Sequence, residues 1–344
     1  MEKNKASGLI LCLILLLFVF SACNDEKQVP YLSEQEQQYI IETATGFNDS
    51  LPVTVTDAVC ERSAGGPHDF YSEGDYWWPD PENPEGPYIR RDGQTNPGNF
   101  VAHRLAMIRL SQIVGRQTSA YLLTGDEKYA IATGDHLEAW FVDHETRMNP
   151  SLNYAQAIKG RVEGRGIGII DAIHLIEVAR SVEILETNGA LPEKTVSAVK
   201  TWFNDFTTWL TTHPYGLDEM NTKNNHATCW VMQVGAFARL TGNEEVLELC
   251  RNRFKDVLLP NQMGEDGSFP LELERTKPYG YSLFNLDAFM TAAEILSDEK
   301  NNLFRYTTPD GKNLLLGAEF LFPYVKDKSD RKSTRLNSSH RYVS

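Results

Sequence analysis

The chain has 344 residues, a formal net charge of −14 and 41% hydrophobic residues, the composition of an ordinary globular protein with room for one large domain or two small ones. The acidic balance argues against nucleic acid as a partner, and a polyanionic ligand would need a locally basic cleft.

The N-terminus reads as an export signal. Lys3 and Lys5 precede an unbroken apolar run from Leu9 to Phe20, which is too short to span a bilayer. The run ends in Phe20-Ser21-Ala22-Cys23, small residues before a cysteine as in a bacterial lipobox. Residues 1–22 are therefore expected to be a lipoprotein signal peptide, with Cys23 the acylated first residue of the mature chain. Asn24-Asp25-Glu26 resembles the acidic signal of surface-exported lipoproteins, so the expected location is the periplasm or the outer-membrane surface. Cys12 falls in the signal, which leaves Cys60, Cys229 and Cys250. Their spacing fits no metal motif, and an odd number cannot all pair. Residues 23–62 are expected to hold a linker and a first helix.

Asp75-Tyr76-Trp77-Trp78-Pro79-Asp80-Pro81 and the following Pro87-to-Gly93 stretch are too rich in proline for a regular helix or a central strand. They suit an irregular wall whose aromatics pack on helix ends or stack on sugar rings. From there helical periods dominate: Phe100–Leu123, Tyr129–Phe141, Ile167–Leu185, Val196–Leu210, Ala227–Leu240, Val246–Val257 and Leu283–Leu296. Leu123-Thr124-Gly125-Asp126-Glu127 and Leu240-Thr241-Gly242-Asn243-Glu244 repeat one corner, in which glycine ends a helix and Asp or Asn caps the next. The expected fold is all-α: an (α/α) toroid or incomplete barrel of antiparallel helical hairpins around a central cleft, with an open solenoid as the alternative. The last residues, 331–344, lack core formers and read as a non-native or disordered tail.

Chemistry concentrates in Asn224-Asn225-His226, before the Ala227–Leu240 helix, and in Arg275 and Tyr281 further on. Capping, a surface salt bridge and a half-buried aromatic would account for each alone. Together they can neutralise a carboxylate and move protons, which is what removal of the C5 proton of a uronate requires. One phenol can act as both base and acid only with a depressed pKa, for which Arg275 would supply the charge. Arg161 and Arg165 could bind carboxylates at flanking positions. Gly164-x-Gly166-x-Gly168 follows no strand and lacks the spacing of a nucleotide loop. Two other classes remain open: a glycoside hydrolase, whose nearest carboxylates are Asp171 and Glu274, and a non-catalytic glycan-binding lipoprotein.

These motifs, with Thr146-Arg147-Met148-Asn149-Pro150, Asn153-Tyr154-Ala155-Gln156 and Gly164-to-Asp171, resemble the alginate lyase superfamily with (α/α) toroid folds, and most closely polysaccharide lyase family 38, with family 5 more distant. The likeness runs over roughly Ser63 to Tyr324 and marks 63–330 as the toroid domain. It implies β-elimination of alginate or a related polyuronate such as glucuronan at C4–C5, leaving unsaturated uronate ends. Asn225 and Arg275 would neutralise the carboxylate, Tyr281 would be the central acid/base and His226 a base or its partner. Tyr76, Trp77, Trp78, Gln156, Arg161, Arg165, Asn224 and Tyr279 would bind substrate. No cofactor or metal is implied, and the expected state is a monomer held to the membrane through Cys23. Two departures stand out. The Arg275–Tyr281 spacing is shorter than in family 5, which makes Tyr279 a competitor, and the family's segment beyond Pro323-Tyr324 is missing.

Overall fold

The computed structural model describes residues 32–327, so the expected signal, the Cys23 anchor and the 331–344 tail lie outside it. Helix α1 (Glu34–Thr45) opens on a capping box between Ser33 and Glu36. It packs on α2 (Ala102–Thr124), whose buried Gln117 donates to the Ala44 carbonyl at 3.1 Å. Then come α3 (Glu127–Leu137, prolonged by a π turn to Val142), α4 (Leu175–Thr187), α5 (Glu193–Thr212), α6 (Pro214–Met220) and α7 (Asn225–Thr241). The chain continues through α8 (Glu244–Asn252, with a π turn to Leu258), α9 (Leu259–Gln262), α10 (Pro270–Leu273), α11 (Pro278–Leu296) and α12 (Leu314–Lys326).

The repeated corner is built as its sequence suggests. Gly125 and Gly242 take φ of 68° and 70°, which glycine adopts without a Cβ penalty, while Asp126 and Asn243 accept from Lys128 and Val246 backbone N–H groups. Hairpins α2–α3, α4–α5, α7–α8 and α11–α12 set α2, α4, α7 and α11 side by side, each against the next. This is the all-α toroid. Helix α7 is buried almost all round, as an inner helix must be. Phe141, Trp202, Phe203, Phe206 and Phe237 interlock between it, α5 and the end of α3.

One expected helix splits. In place of a continuous Ile167–Leu185, a 3-10 turn (Gly166–Ala172) precedes α4. The turn lies hard against its neighbours: a Cβ on Gly168 would stand 2.6 Å from the Ala155 carbonyl oxygen, and one on Gly166 2.8 Å from that of Tyr215. Short strands add two pairs, β1 (Tyr71–Glu73) parallel to β4 (Tyr154–Ala157) and β2 (Trp77–Trp78) antiparallel to β3 (Ile89–Arg90).

The inner helices run in one direction. Arg104, at the start of α2, meets Asp171 just ahead of α4 at 3.6 Å. Arg239, late in α7, pairs with Glu183, late in α4, at 2.9 Å and donates to the Ile295 carbonyl near the end of α11 at 3.3 Å. Their N-termini, the positive ends of the helix dipoles, therefore face one side of the molecule together.

Candidate active site

At that N-terminal face, α7 begins with Asn225, and its cap comes from across the fold. Glu272 on α10, 1% exposed, accepts the Asn225 backbone N–H and its Nδ2, each at 2.7 Å. Asn224 makes no side-chain cap; its carbonyl instead accepts from Gln262 Nε2 at 3.0 Å. Glu272 thus fixes the amide face of Asn225 and leaves it a second N–H to give. Burial holds the Glu272 carboxyl above its ordinary range, against the opposing pull of Asn225, Arg275 and His226.

His226 follows on the same turn. Its Nδ1 lies 2.7 Å from Oε1 of Glu219, a fully buried carboxylate on α6 whose Oε2 has no hydrogen-bond partner. With Glu219 ionised, Nδ1 carries the proton and Nε2 is left as an acceptor. Burial pushes Glu219 up, and His226 pulls it back.

Arg275 and Tyr281 meet directly. Arg275 Nη2 donates to the Tyr281 hydroxyl at 3.0 Å, and its guanidinium carbon stands 4.0 Å from that ring's centre. The aromatic segment closes over both. The Tyr76 hydroxyl is 2.7 Å from that of Tyr281, and Asp92 pairs with Arg275 at 3.2 Å. Here the structure corrects an expectation. Burial, then Tyr76, raises the Tyr281 phenol well above its ordinary value, and the Arg275 charge does not outweigh them. At rest Tyr281 is a proton donor. Tyr279 precedes it by two residues on α11 and so projects about 200° away around the helix.

A third group flanks these. The Trp77 ring has Arg161 at 5.2 Å and Arg165 at 5.9 Å. Arg165 donates through Nε and Nη2 to the carbonyl and Oε1 of Gln156, at 3.0 and 2.9 Å. Arg161 donates to the Tyr88 carbonyl at 2.7 Å. Trp78 is held apart, under Arg91 and donating to the Gln94 carbonyl at 2.8 Å, so it packs the wall. The fields of Asp171 and Glu219 act on Arg165, and those of Arg275 and His226 on Glu272, so these groups lie within electrostatic reach of one another.

The structure therefore brings together Asn225, His226, Arg275, Tyr281, Tyr76, Trp77, Arg161, Arg165 and Gln156. Sequence reasoning missed Glu219, Glu272 and Asp92. Asp171, weighed there as half of a hydrolase pair, is sealed behind Ser72, Gln156 and Arg104, while Glu274 is exposed; Asp171 cannot reach a glycosidic oxygen. Among the described residues no cluster of His, Cys, Asp or Glu is suited to a metal ion, and no helix is long and apolar enough to cross a membrane.

Comparison with known proteins agrees with this architecture. The family model described as alginate lyase matches residues 54–330. A crystal structure of an alginate lyase from Bacteroides ovatus is 33% identical, with a TM-score of 0.83, covering 88% of this chain and 81% of that one. Alginate lyase A1-III from Sphingomonas species A1 is 14% identical with a TM-score of 0.56, covering 88% and 82% of the two chains, and shares the fold. A histidine-to-alanine variant of A1-III, complexed with a tetrasaccharide, is 12% identical with a TM-score of 0.59 over 89% and 81%. No curated protein matches.

Proposed function

The chain belongs to the alginate lyase family, and from that premise we propose that its cleft cleaves alginate or a related polyuronate by β-elimination. The observation that carries the reading is the Arg275–Tyr281 contact at 3.0 Å, with His226, tied through Nδ1 to Glu219, acting together with Arg275 on Glu272. Arg275 and the second Nδ2 hydrogen of Asn225 neutralise the substrate carboxylate, so that charge developing at C5 spreads into it. A base takes the C5 proton, the C5–H electron pair becomes the C4=C5 double bond, and the C4–O4 bond breaks. O4 leaves with the proton of Tyr281.

The epimer decides the base. In guluronate H5 and O4 lie on opposite faces, so His226 Nε2 takes one proton while Tyr281 gives the other. In mannuronate or glucuronate they share a face, and Tyr281 alone serves both. It must first lose its own proton to solvent, which Arg275 favours and burial opposes, and it regains that charge when O4 leaves with the proton taken from C5. Trp77, Arg161 and Arg165 hold flanking sugars and their carboxylates. Digests of mannuronan, guluronan and glucuronan test the reading: at least one should yield the near-ultraviolet absorbance of an unsaturated uronate. Cleavage without that absorbance would make the protein a hydrolase, and binding without cleavage a glycan-binding module.

We also propose that the protein is an exported lipoprotein anchored through Cys23, on the strength of Phe20-Ser21-Ala22-Cys23. Cys23→Ala should abolish both labelling by radioactive palmitate and membrane association; retention of both refutes the anchor.

A further inference from the structure

Arg165 is half-buried, yet it takes part in none of the ion pairs among the described residues, whereas Arg104 and Arg275 in the same cleft each have a carboxylate. Its partner is a neutral amide, and that amide is held with unusual care. Gln156 Nε2 donates to Asp171 Oδ1 at 3.0 Å, and a guanidinium can only donate, so Oε1 must face Arg165; burial pushes the Asp171 carboxyl up, and Arg104, Ser72 and Gln156 pull it back. The Gln156 backbone is tied to the same anchor. Its N–H donates at 2.8 Å to Ser72 Oγ, which in turn donates at 2.5 Å to Asp171 Oδ2.

Among the described residues Gln156 is the only non-glycine with a positive φ, at 49°. A glutamine held there is strained, and such strain persists where the surroundings impose it. The result is that the carbonyl and Oε1 of one residue both face one guanidinium. Arg165 is seated closely as well: a Cβ on Gly74 would stand 2.8 Å from its Nη2.

We propose that Asp171, acting through Gln156, is the positioning residue that holds Arg165 as a receptor for the carboxylate of a uronate next to the one being cleaved. The assignment rests on the lyase reading above. Gln156 uses two of the five guanidinium donors, and the others remain for a carboxylate. Burial lowers Arg165 to about 10 against the pull of Asp171, Glu219 and Asp75, none of which pairs with it directly, so it stays charged at neutral pH. Asp171 touches no substrate; it acts by denying the Gln156 amide its other orientation.

The test uses the full chain carrying Tyr281→Phe, with binding of mannuronate, guluronate and glucuronate tetrasaccharides measured by calorimetry. Arg165→Met should weaken the best of them about tenfold, the scale of one charge-assisted contact, and Asp171→Asn and Gln156→Met should each weaken it to a similar degree. The decisive measurement is the double variant Asp171→Asn/Arg165→Met, which should bind no worse than Arg165→Met alone. Additive losses would show a merely structural role and overturn the relay, as would unchanged binding in Asp171→Asn and Gln156→Met. If Asp171→Asn fails to fold, Gln156→Met decides alone, since it leaves Asp171 with Ser72 and Arg104. The lyase reading is scored separately. Unsaturated product from the wild type with unaltered binding in the variants sinks only the receptor. Tetrasaccharide binding without product sinks only the lyase. No binding by the Tyr281→Phe protein sinks the receptor outright.

Discussion

The two ends of the inner helices use the same residue types to different effect. At the C-terminal ends cations and carboxylates are matched, Arg180 with Glu294 and Arg239 with Glu183, in pairs open to solvent. At the N-terminal ends matching is incomplete. Glu219 keeps a buried oxygen without a partner, Arg275 a buried Nε, and Arg165 has only an amide. Solvent-exposed pairs contribute little and can be lost cheaply, whereas buried groups left short of partners cost stability until a ligand supplies them. The incompletely matched end is where chemistry is to be sought.

The largest test of that contrast is Tyr281→Phe, which keeps the ring but deletes the proton. Turnover should fall on the order of 10³-fold or more on every polyuronate, with folding intact by circular dichroism. Substantial activity on mannuronan would move the acid to Tyr279 or end the mechanism. Next come Asn225→Ala and Arg275→Ala, each expected to cost on the order of 10²–10³-fold in kcat, since the charge they stabilise grows in the transition state. A loss confined to KM would reduce them to binding groups.

Glu219→Gln separates stability from activity. Burial raises the folded-state pKa of Glu219, so its ionisation costs nothing below the ordinary carboxylate range, and the cost appears as pH rises through the raised value. Thermal melts should therefore shift in the variant's favour from about pH 4 to pH 7, while guluronate cleavage falls because the imidazole tautomer is no longer fixed. A pH-independent difference in Tm would show that Glu219 is not the strained group described. The smallest effect belongs to the matched end. Arg239→Met should cost less than ~1 kcal/mol in a denaturant melt and leave turnover unchanged. A clear loss of activity there would mean that the two ends are coupled.

Most of the fold was legible because the inner and outer helices carry long 3.6-residue periods and the Gly125 and Gly242 corners carry specific caps. The break in Ile167–Leu185 was not, because it depends on close approaches by Gly166 and Gly168 to chain far away in sequence. The short helices α6 and α10 were also missed, being too brief for a period to show, and with them went Glu219 and Glu272. A carboxylate on a one- or two-turn helix looks the same in sequence whether it faces water or a buried imidazole. The four candidate residues could be grouped from sequence because an amide, an imidazole, a guanidinium and a phenol share one chemical purpose. Their pKa balance was misjudged because burial and Tyr76 act on Tyr281 from outside that set.

The pairing of Asp92 with Arg275 makes this position an ion exchanger. On the proposed reaction, an arriving uronate competes with a resident carboxylate that stays tethered beside the site, so the guanidinium is never stripped bare. Affinity there is a difference between two similar anions. It is modest by construction, and Asp92 stands ready to reclaim its partner and expel the product.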